Sequence, residues 1–146
     1  MSGPETDTAG ADGATALDPP ARISVVMVSY ATGPALMEAI RAVQRDPDVT
    51  ELIVVDNGNS AADRHRLLET ASRRGEVRVL QGHGNIGFAR ACNYGASLAS
   101  GDYLHFVNPD ALVERGASRA LVGAIRAAGT APCVAGGMLV NVDGLE

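Results

Sequence analysis

Several residue types are scarce or missing in this sequence of 146 residues. It has no Trp, only 3% aromatic residues and two Cys, and all twelve basic residues are Arg. A folded core therefore has to be built from aliphatic side chains. Cys92 and Cys133 lie far apart and outside any CxxC or Cys/His spacing. They predict two reduced, largely buried thiols rather than a metal site or a redox pair.

Long apolar runs and basic clusters are also missing. No run reaches the roughly 18 apolar residues that span a membrane, and residues 1–21 hold no stretch suited to a signal peptide. Of the net charge of −5, the four acidic residues within 1–21 contribute −4, which leaves −1 for the remainder. No basic patch favours nucleic acid. We expect a cytoplasmic location, or one at the inner face of the membrane, and no nucleic-acid partner.

The residues that are present suit one globular domain. Hydrophobic residues make up 46% of the sequence and charged residues 20%, the balance of a protein with a packed core. Residues 1–21 are rich in Gly, Ala, Pro and Thr without periodicity, and they predict a disordered leader. Residues 22–146 form the predicted domain.

Short apolar runs at regular intervals predict strands. The predicted strands are Ile23–Tyr30, Glu51–Asp56, Val77–Leu80, Asp102–Val107 and Val134–Val140. Because helical patterns separate them, the order predicts an α/β fold with a mainly parallel sheet and flanking helices. The positions expected to be buried in the sheet are Ile23, Val26, Val28, Ile53, Val55, Leu104 and Phe106.

Amphipathic segments between these runs predict four helices. The first begins at Gly33-Pro34 and ends before Pro47, and Ser60 caps the second. The third covers about Ile86–Ser100. The fourth has its apolar positions at Leu112, Val113, Leu121, Val122 and Ile125.

The C-terminal residues are typical of an unfinished hairpin. Asp143-Gly144 is a turn signal after the apolar segment Met138–Val142, yet only two residues follow it. We interpret the chain as a piece of a longer domain.

Two carboxylates lie where a parallel sheet binds ligands, beyond the carboxyl ends of its strands. Asp56 ends the second strand and can accept hydrogen bonds from a base or ribose, or it can bond its own backbone in the turn. Asp110 follows the fourth strand and can bind Mg²⁺ or Mn²⁺ beside a diphosphate. Alternatively, Asp110 caps the helix predicted at Leu112.

A glycine-rich turn offers a competing interpretation. Gly82–Gly87 (GHGNIG) matches G-x-G-x-x-G, which places a pyrophosphate on a helix N-terminus in dinucleotide-binding domains. Asp102 has roughly the spacing of the ribose-binding acid but begins its strand. Arg90 can pair with phosphate or be a solvated helix charge. The sequence contains no GxSxG, HExxH or Walker A pattern.

Five ordered segments resemble those of the family 2 glycosyltransferases. They are Val25–Tyr30 (VVMVSY), Ile53–Gly58 (IVVDNG), Asn85–Ala89 (NIGFA) with Asn93, Gly101–Tyr103 (GDY) and Asn108–Ala111 (NPDA). The likeness runs from about Ile23 to the end of the chain. The GFA and NPDA forms are most similar to the rhamnosyltransferase-like branch.

This resemblance implies the nucleotide-sugar-binding portion of a GT-A (Rossmann-like) fold. It implies transfer of a sugar from a UDP-, TDP- or GDP-sugar to a glycan or lipid-linked acceptor, as in polysaccharide and cell-wall synthesis. In such enzymes Asp56 would contact the base and Asp110 the metal. The other residues implied to line the nucleotide site are Tyr30, Asn85, Arg90 and Asn108, with Asp102 behind it.

The resemblance also limits what this chain is expected to do. Asn108 replaces the first acid of a strict DxD motif, so metal binding would rest mainly on Asp110. The carboxylate base of the inverting mechanism is expected beyond Glu146. A dinucleotide-binding domain of the NAD type and a non-catalytic nucleotide-sugar-binding module remain as alternatives.

Overall fold

Four parallel strands form the centre of the computed structural model, which describes residues 20–73, 77–129 and 131–140. The leader predicted over residues 1–21 therefore lies almost wholly outside the described residues, as does the Asp143-Gly144 turn. The elements are β1 (Ile23–Ser29), α1 (Pro34–Arg45), β2 (Val49–Asp56), α2 (Ala61–Arg73), β3 (Val77–Leu80), α3 (Phe88–Ser97), β4 (Tyr103–Val107) and α4 (Ala117–Ala127).

The strand order is β3-β2-β1-β4, and every neighbouring pair is parallel. All seven residues of β1 are buried, because β2 and β4 flank it and helices cover it. This confirms the α/β prediction and explains the unbroken apolar run of β1. The chain reverses direction across the sheet between β1 and β4, which makes their carboxyl ends the switch point of the fold.

The two faces of the sheet pack against different helices. Alternate residues such as Val25 and Met27 join Leu36 and Ile40 of α1 and Leu67 of α2 in the main core. The opposite face packs against α3, where the approach is very close. A Cβ added to Gly95 would lie 2.6 Å from Cγ1 of Val26. Only a residue without a side chain fits there.

A polar network fastens the amino ends of β1 and β4. Glu51 Oε1 accepts hydrogen bonds from Ser24 Oγ at 2.6 Å and from the Ser100 amide at 2.6 Å. The Gly101 amide donates to Ser24 Oγ at 2.8 Å. Burial raises the pKa of Glu51, but these hydrogen bonds outweigh burial and leave its pKa below the usual range.

Leu104 and Phe106 are half-exposed, at 45% and 49%, so the prediction that they are buried is wrong. They lie on β4, at the edge of the four-stranded sheet, and pair with Ser24 and Val26 of the α3-facing side. The other predicted strand positions, Ile23, Val26, Val28, Ile53 and Val55, are buried as expected. The apolar pattern of a strand does not reveal whether it is central or at an edge.

Three other predictions are wrong. Residues 134–140 form no strand, and Val134 and Leu139 are 97% and 80% exposed, since no described strand pairs with them. The fourth helix begins at Ala117 rather than near Leu112. Cys133 is exposed, whereas Cys92 is partly buried as a free thiol. Among the described residues, no helix is long and apolar enough to cross a membrane.

Candidate functional site

The carboxyl ends of β1 and β2 meet in a tight, fully hydrogen-bonded turn. Ser29 lies beside Asp56 in the strand register, and the Asn57 amide donates to the Ser29 carbonyl at 2.9 Å. Asn59 Oδ1 accepts from Ser29 Oγ at 3.0 Å, while Asn59 Nδ2 donates back to the Ser29 carbonyl at 3.3 Å. The end of β1 is thereby fixed against the turn that follows β2.

Asp56 lies at the centre of this turn and does not protrude from it. Its Oδ1 accepts from the Gly58 amide at 3.3 Å, the Asn59 amide at 2.9 Å and Asn59 Nδ2 at 3.0 Å. Its side chain is only 1% exposed. Of the two alternatives for Asp56, the structure shows the second: the carboxylate organises the backbone of its own turn, as Asp commonly does.

Arg64 covers the second oxygen of Asp56. Its Nε donates to Asp56 Oδ2 at 2.6 Å, and its Nη2 donates to the Asn59 carbonyl at 3.4 Å. Burial raises the pKa of Asp56, but hydrogen bonds from Asn59, Arg64 and Gly58 together outweigh it. The carboxylate therefore has a pKa below its usual range and is ionised at neutral pH.

The glycine-rich turn after β3 is fastened to the same edge. Asn57 Oδ1 accepts from the Ile86 amide at 2.9 Å, and Asn57 Nδ2 donates to Asn85 Oδ1 at 3.2 Å. Asn85 Oδ1 also accepts from the Gly87 amide at 3.0 Å. Asn85 is thus brought to the predicted place, with its side-chain oxygen occupied by the loop itself.

Tyr30 presents an exposed aromatic ring above this turn. The ring is 59% exposed, and its Cδ2 and Cε2 atoms would lie 3.4 Å from a Cβ added to Gly58. The same added Cβ would lie 3.6 Å from Cβ of Asn85. Residues that follow β1, β2 and β3 therefore converge at one edge, where the family resemblance implies that Tyr30 and Asn85 line a nucleotide site.

Asp110 follows β4 on the other side of the switch point and has an exposed carboxylate that accepts no hydrogen bond from a described residue. Asn108 is also exposed, and its carbonyl accepts from the Ala111 amide at 3.1 Å in the turn. The chain from 111 to 114 is not helical. Asp110 therefore does not cap a helix, and that alternative is wrong.

Arg90 and Asp102 are placed very differently. Arg90 lies in the first turn of α3, exposed and without an ion pair to any described residue. Asp102 precedes β4 at the opposite edge of the sheet, where its carboxylate binds the Arg22 guanidinium at 2.7 Å and 3.2 Å. The structure does not bring Asp102 together with the other predicted site residues.

Residues 24–144 match the family model described as glycosyl transferase family 2. The chain belongs to this family. It is 32% identical over 93 residues to glycosyltransferase GlyG of Streptococcus pneumoniae serotype 4, a match that covers 63% of this chain and 31% of GlyG. The chain thus spans about a third of the length of that curated relative.

Solved glycosyltransferase structures share the fold. S. aureus TarS in complex with UDP-GlcNAc has a TM-score of 0.62 at 18% identity, over 73% of this chain and 31% of that one. The mannosyltransferase PcManGT from Pyrobaculum calidifontis, in complex with GDP-Man and Mn²⁺, has a TM-score of 0.57 at 19% identity, over 63% and 28%. Family 2 membership and this GT-A architecture confirm the predicted fold and overturn the dinucleotide-domain alternative.

The site of this glycosyltransferase family member includes residues that the sequence analysis missed. Asn57, Asn59 and Arg64 hold the β2 turn together, yet none was singled out. The segment Asp56–Asn59 (DNGN) contains three Asp or Asn residues, which commonly form hydrogen bonds within a turn, so the sequence itself could have indicated this network. Arg64 offers no comparable signal, because its partner lies eight residues away on a different element.

Proposed function

We propose that this chain is the donor-binding part of a glycosyltransferase that transfers a sugar from a nucleoside-diphosphate sugar to a glycan or lipid-linked acceptor. One observation carries the proposal. Asp110, at the switch point of a GT-A sheet, has an exposed carboxylate that no described residue contacts through a hydrogen bond or ion pair, across from the fixed turn of β1 and β2. A carboxylate that no described residue engages is available to a ligand.

The proposed donor lies along the carboxyl edge of the sheet. The exposed ring of Tyr30 can pack against the base, beside the turn that Asp56 and Asn85 make rigid. Arg90 can pair with a phosphate, since its guanidinium is free of described partners. Asp102 has no part in this arrangement; we assign it to the fastening of β4 to Arg22.

A divalent cation fits the residues beside β4. Asp110 supplies an anionic oxygen and Asn108 a neutral one, and Mg²⁺ or Mn²⁺ usually takes only one or two carboxylates when substrate phosphates supply the rest. Such an ion would neutralise charge on the departing diphosphate. The described residues hold no cluster of three His, Cys, Asp or Glu that could bind a metal without such help.

The finer assignments rest on the sequence. The UDP-GlcNAc and GDP-Man complexes of the structural relatives support a nucleotide sugar as the donor, and UDP-, TDP- and GDP-sugars are the candidates. The NPDA and GFA segments support the rhamnosyltransferase-like branch. An inverting mechanism needs a base that takes the acceptor's proton, and we assign that role to no described residue.

The substitution Asp110→Asn tests this function. Asn retains the size of Asp but is a neutral and poor ligand for a hard cation. We expect the Mn²⁺-dependent part of the affinity for a nucleoside diphosphate to fall about tenfold or more, with an unchanged urea-unfolding midpoint. Isothermal titration with UDP, TDP and GDP, with and without Mn²⁺, measures this.

Two results would contradict the proposal. One is an Asp110→Asn variant whose affinity and metal dependence equal those of the wild type. The other is wild-type protein that binds NAD regardless of metal and binds no nucleoside diphosphate. Glu114→Gln serves as the control, because it also removes one carboxylate after β4 but lies outside the proposed site.

A further inference from the structure

We propose that Arg64 reads the base of the bound nucleotide. Its guanidinium donates a hydrogen bond to a carbonyl oxygen of the base, which selects uracil, thymine and guanine over cytosine and adenine. This inference rests on the proposed function, since it assigns a contact within that nucleotide site.

Asp56 leaves no acceptor exposed at the end of β2. Three donors occupy its Oδ1 and the Arg64 Nε occupies its Oδ2, and the side chain is 1% exposed. A base approaching from solvent therefore does not meet the carboxylate. It meets the guanidinium that covers it.

Arg64 is held in place with hydrogen-bonding capacity left over. The side chain is 44% exposed, although its Nε and Nη2 are bound to Asp56 and the Asn59 carbonyl. Its Nη1 has no partner among the described residues. Fixing a guanidinium through one edge orients its remaining N–H groups, so little side-chain entropy is lost when they bind a ligand.

The position of Arg64 favours the base over the phosphates. It lies in the first turn of α2, directly after the β2 turn, where a Cβ added to Gly58 would lie 3.4 Å from the Tyr30 ring. The candidates for the diphosphate, Asp110 and Arg90, follow β4 and the β3 turn. An exposed aromatic ring and an oriented donor at the same turn are an arrangement that suits a planar heterocycle.

The chemistry of the guanidinium sets the preference. Arg only donates hydrogen bonds. Uracil and thymine carry a carbonyl at position 4 and guanine carries one at position 6, whereas cytosine and adenine carry amino groups there. An amino group facing Arg64 would place donor against donor. Loss of one hydrogen bond to a charged group corresponds to roughly 10- to 100-fold in affinity.

Titration of the full chain with UDP and CDP, each with Mn²⁺, tests the inference. The two nucleotides share ribose and diphosphate, so the ratio of their dissociation constants isolates the contact at position 4. We expect the wild type to bind UDP at least about tenfold more tightly than CDP. For purines, the same comparison of GDP with ADP tests the contact at position 6. Arg64→Ala should reduce the ratio of the CDP dissociation constant to the UDP dissociation constant to below about threefold.

Arg64→Gln protects the test against loss of folding, because its amide can still donate to the buried Asp56. Arg64→Gln should also lose the discrimination between UDP and CDP, while an unchanged far-UV circular dichroism spectrum shows that the protein is folded. Arg66→Ala is the matched control: Arg66 lies two residues further along α2, is 62% exposed and pairs with Asp63 at 3.7 Å. It should leave both affinities and their ratio unchanged.

Three outcomes would overturn the inference. If Arg64→Ala weakens UDP and CDP equally, Arg64 contacts a phosphate instead. If Arg64→Ala tightens UDP binding, Arg64 blocks Asp56 rather than reading the base. If the wild type binds UDP but does not discriminate within either pair, no base contact exists. Failure of the wild type to bind any nucleoside diphosphate overturns the proposed function itself, and this inference with it.

Discussion

Gly101 is required by packing, because no side chain fits at this position. A Cβ there would lie 2.5 Å from Ser24 Oγ and 2.8 Å from both the Arg22 carbonyl oxygen and the Ser24 amide nitrogen. Two of these three atoms are backbone atoms at or just before the start of β1 and cannot rotate away. The Gly101-Asp102 pair therefore fastens the start of β4 to the start of β1, although the family resemblance implied that Asp102 lies behind the nucleotide site.

The substitution Gly101→Ala should lower the free energy of unfolding by about 2–3 kcal/mol, because it overpacks a backbone contact. Gly123→Ala is the control, since Gly123 lies within α4 with nothing within 4 Å of an added Cβ. It should raise stability by about 0.5–1 kcal/mol through helix propensity. Urea unfolding of both variants measures the difference, and equal midpoints would contradict the packing argument.

The residue types at the site were predictable, but their partners were not. The resemblance to the glycosyltransferase family indicated Tyr30 and Asn85, and the rule that parallel strands end at one edge indicated Asp56 and Asp110. The sequence did not show that hydrogen bonds occupy both oxygens of Asp56. An Asp at the end of a strand can face solvent or its own turn, and the strand pattern is the same in both cases. The contact with Arg64 could not be predicted either, because Arg64 reaches Asp56 Oδ2 from α2, eight residues along the chain.

At the scale of elements, α4 is capped by a side chain from a distant part of the chain. Asp46 follows α1 and is 2% exposed. It accepts from the Gly116 and Ser118 amides at 3.3 Å each. These are amides at the N-terminus of α4 that lack partners within the helix. α4 therefore depends on the end of α1 for its own start.

Asp46→Ala should destabilise the protein by about 1–2 kcal/mol, the usual cost of losing an N-cap. Asp46→Asn retains only one of the two acceptor oxygens and should lose about half of that amount. Thermal unfolding followed by circular dichroism gives both values. A loss in Asp46→Asn as large as in Asp46→Ala would mean that the charge, and not the cap, is what matters.

The bounds of elements were predictable where burial alone sets them. β3 matches its predicted range, and β1 and β4 differ by one residue at one end. The predicted start of α4 was wrong because Val113 was assigned to the apolar face of a helix. In the structure Val113 packs against the main core from a non-helical segment. An apolar residue predicts burial, but it does not predict the backbone conformation of the buried segment.

At the scale of the whole molecule, acid should unfold this chain through its hydrogen-bonded carboxylates. Glu51 and Asp56 both have pKa values below their ordinary values of 4.5 and 3.8. Groups with a lowered folded pKa stabilise the native state above the unfolded pKa, and this stabilisation is lost as pH falls through the folded pKa. The free energy of unfolding should therefore decline below about pH 4.5.

Urea unfolding at pH 7, 4.5 and 3 measures this decline. Glu51→Gln should have a shallower dependence on pH below 4.5, because one of the carboxylates with a lowered pKa is gone. Exposed Glu38→Gln serves as the control and should keep the slope of the wild type. A Glu51→Gln variant with the unaltered slope would show that other groups govern acid unfolding.

The strand order also fixes when the sheet can be completed during synthesis. β1 is fully buried in the finished fold, and β4, which covers one of its edges, begins at Tyr103, long after β1 ends at Ser29. At about 5–20 residues per second, the ribosome needs roughly 4–15 s to make the intervening chain. During that interval β1, which is fully buried in the finished fold, has an open edge, so the nascent chain is most vulnerable to aggregation before residues 103–107 emerge.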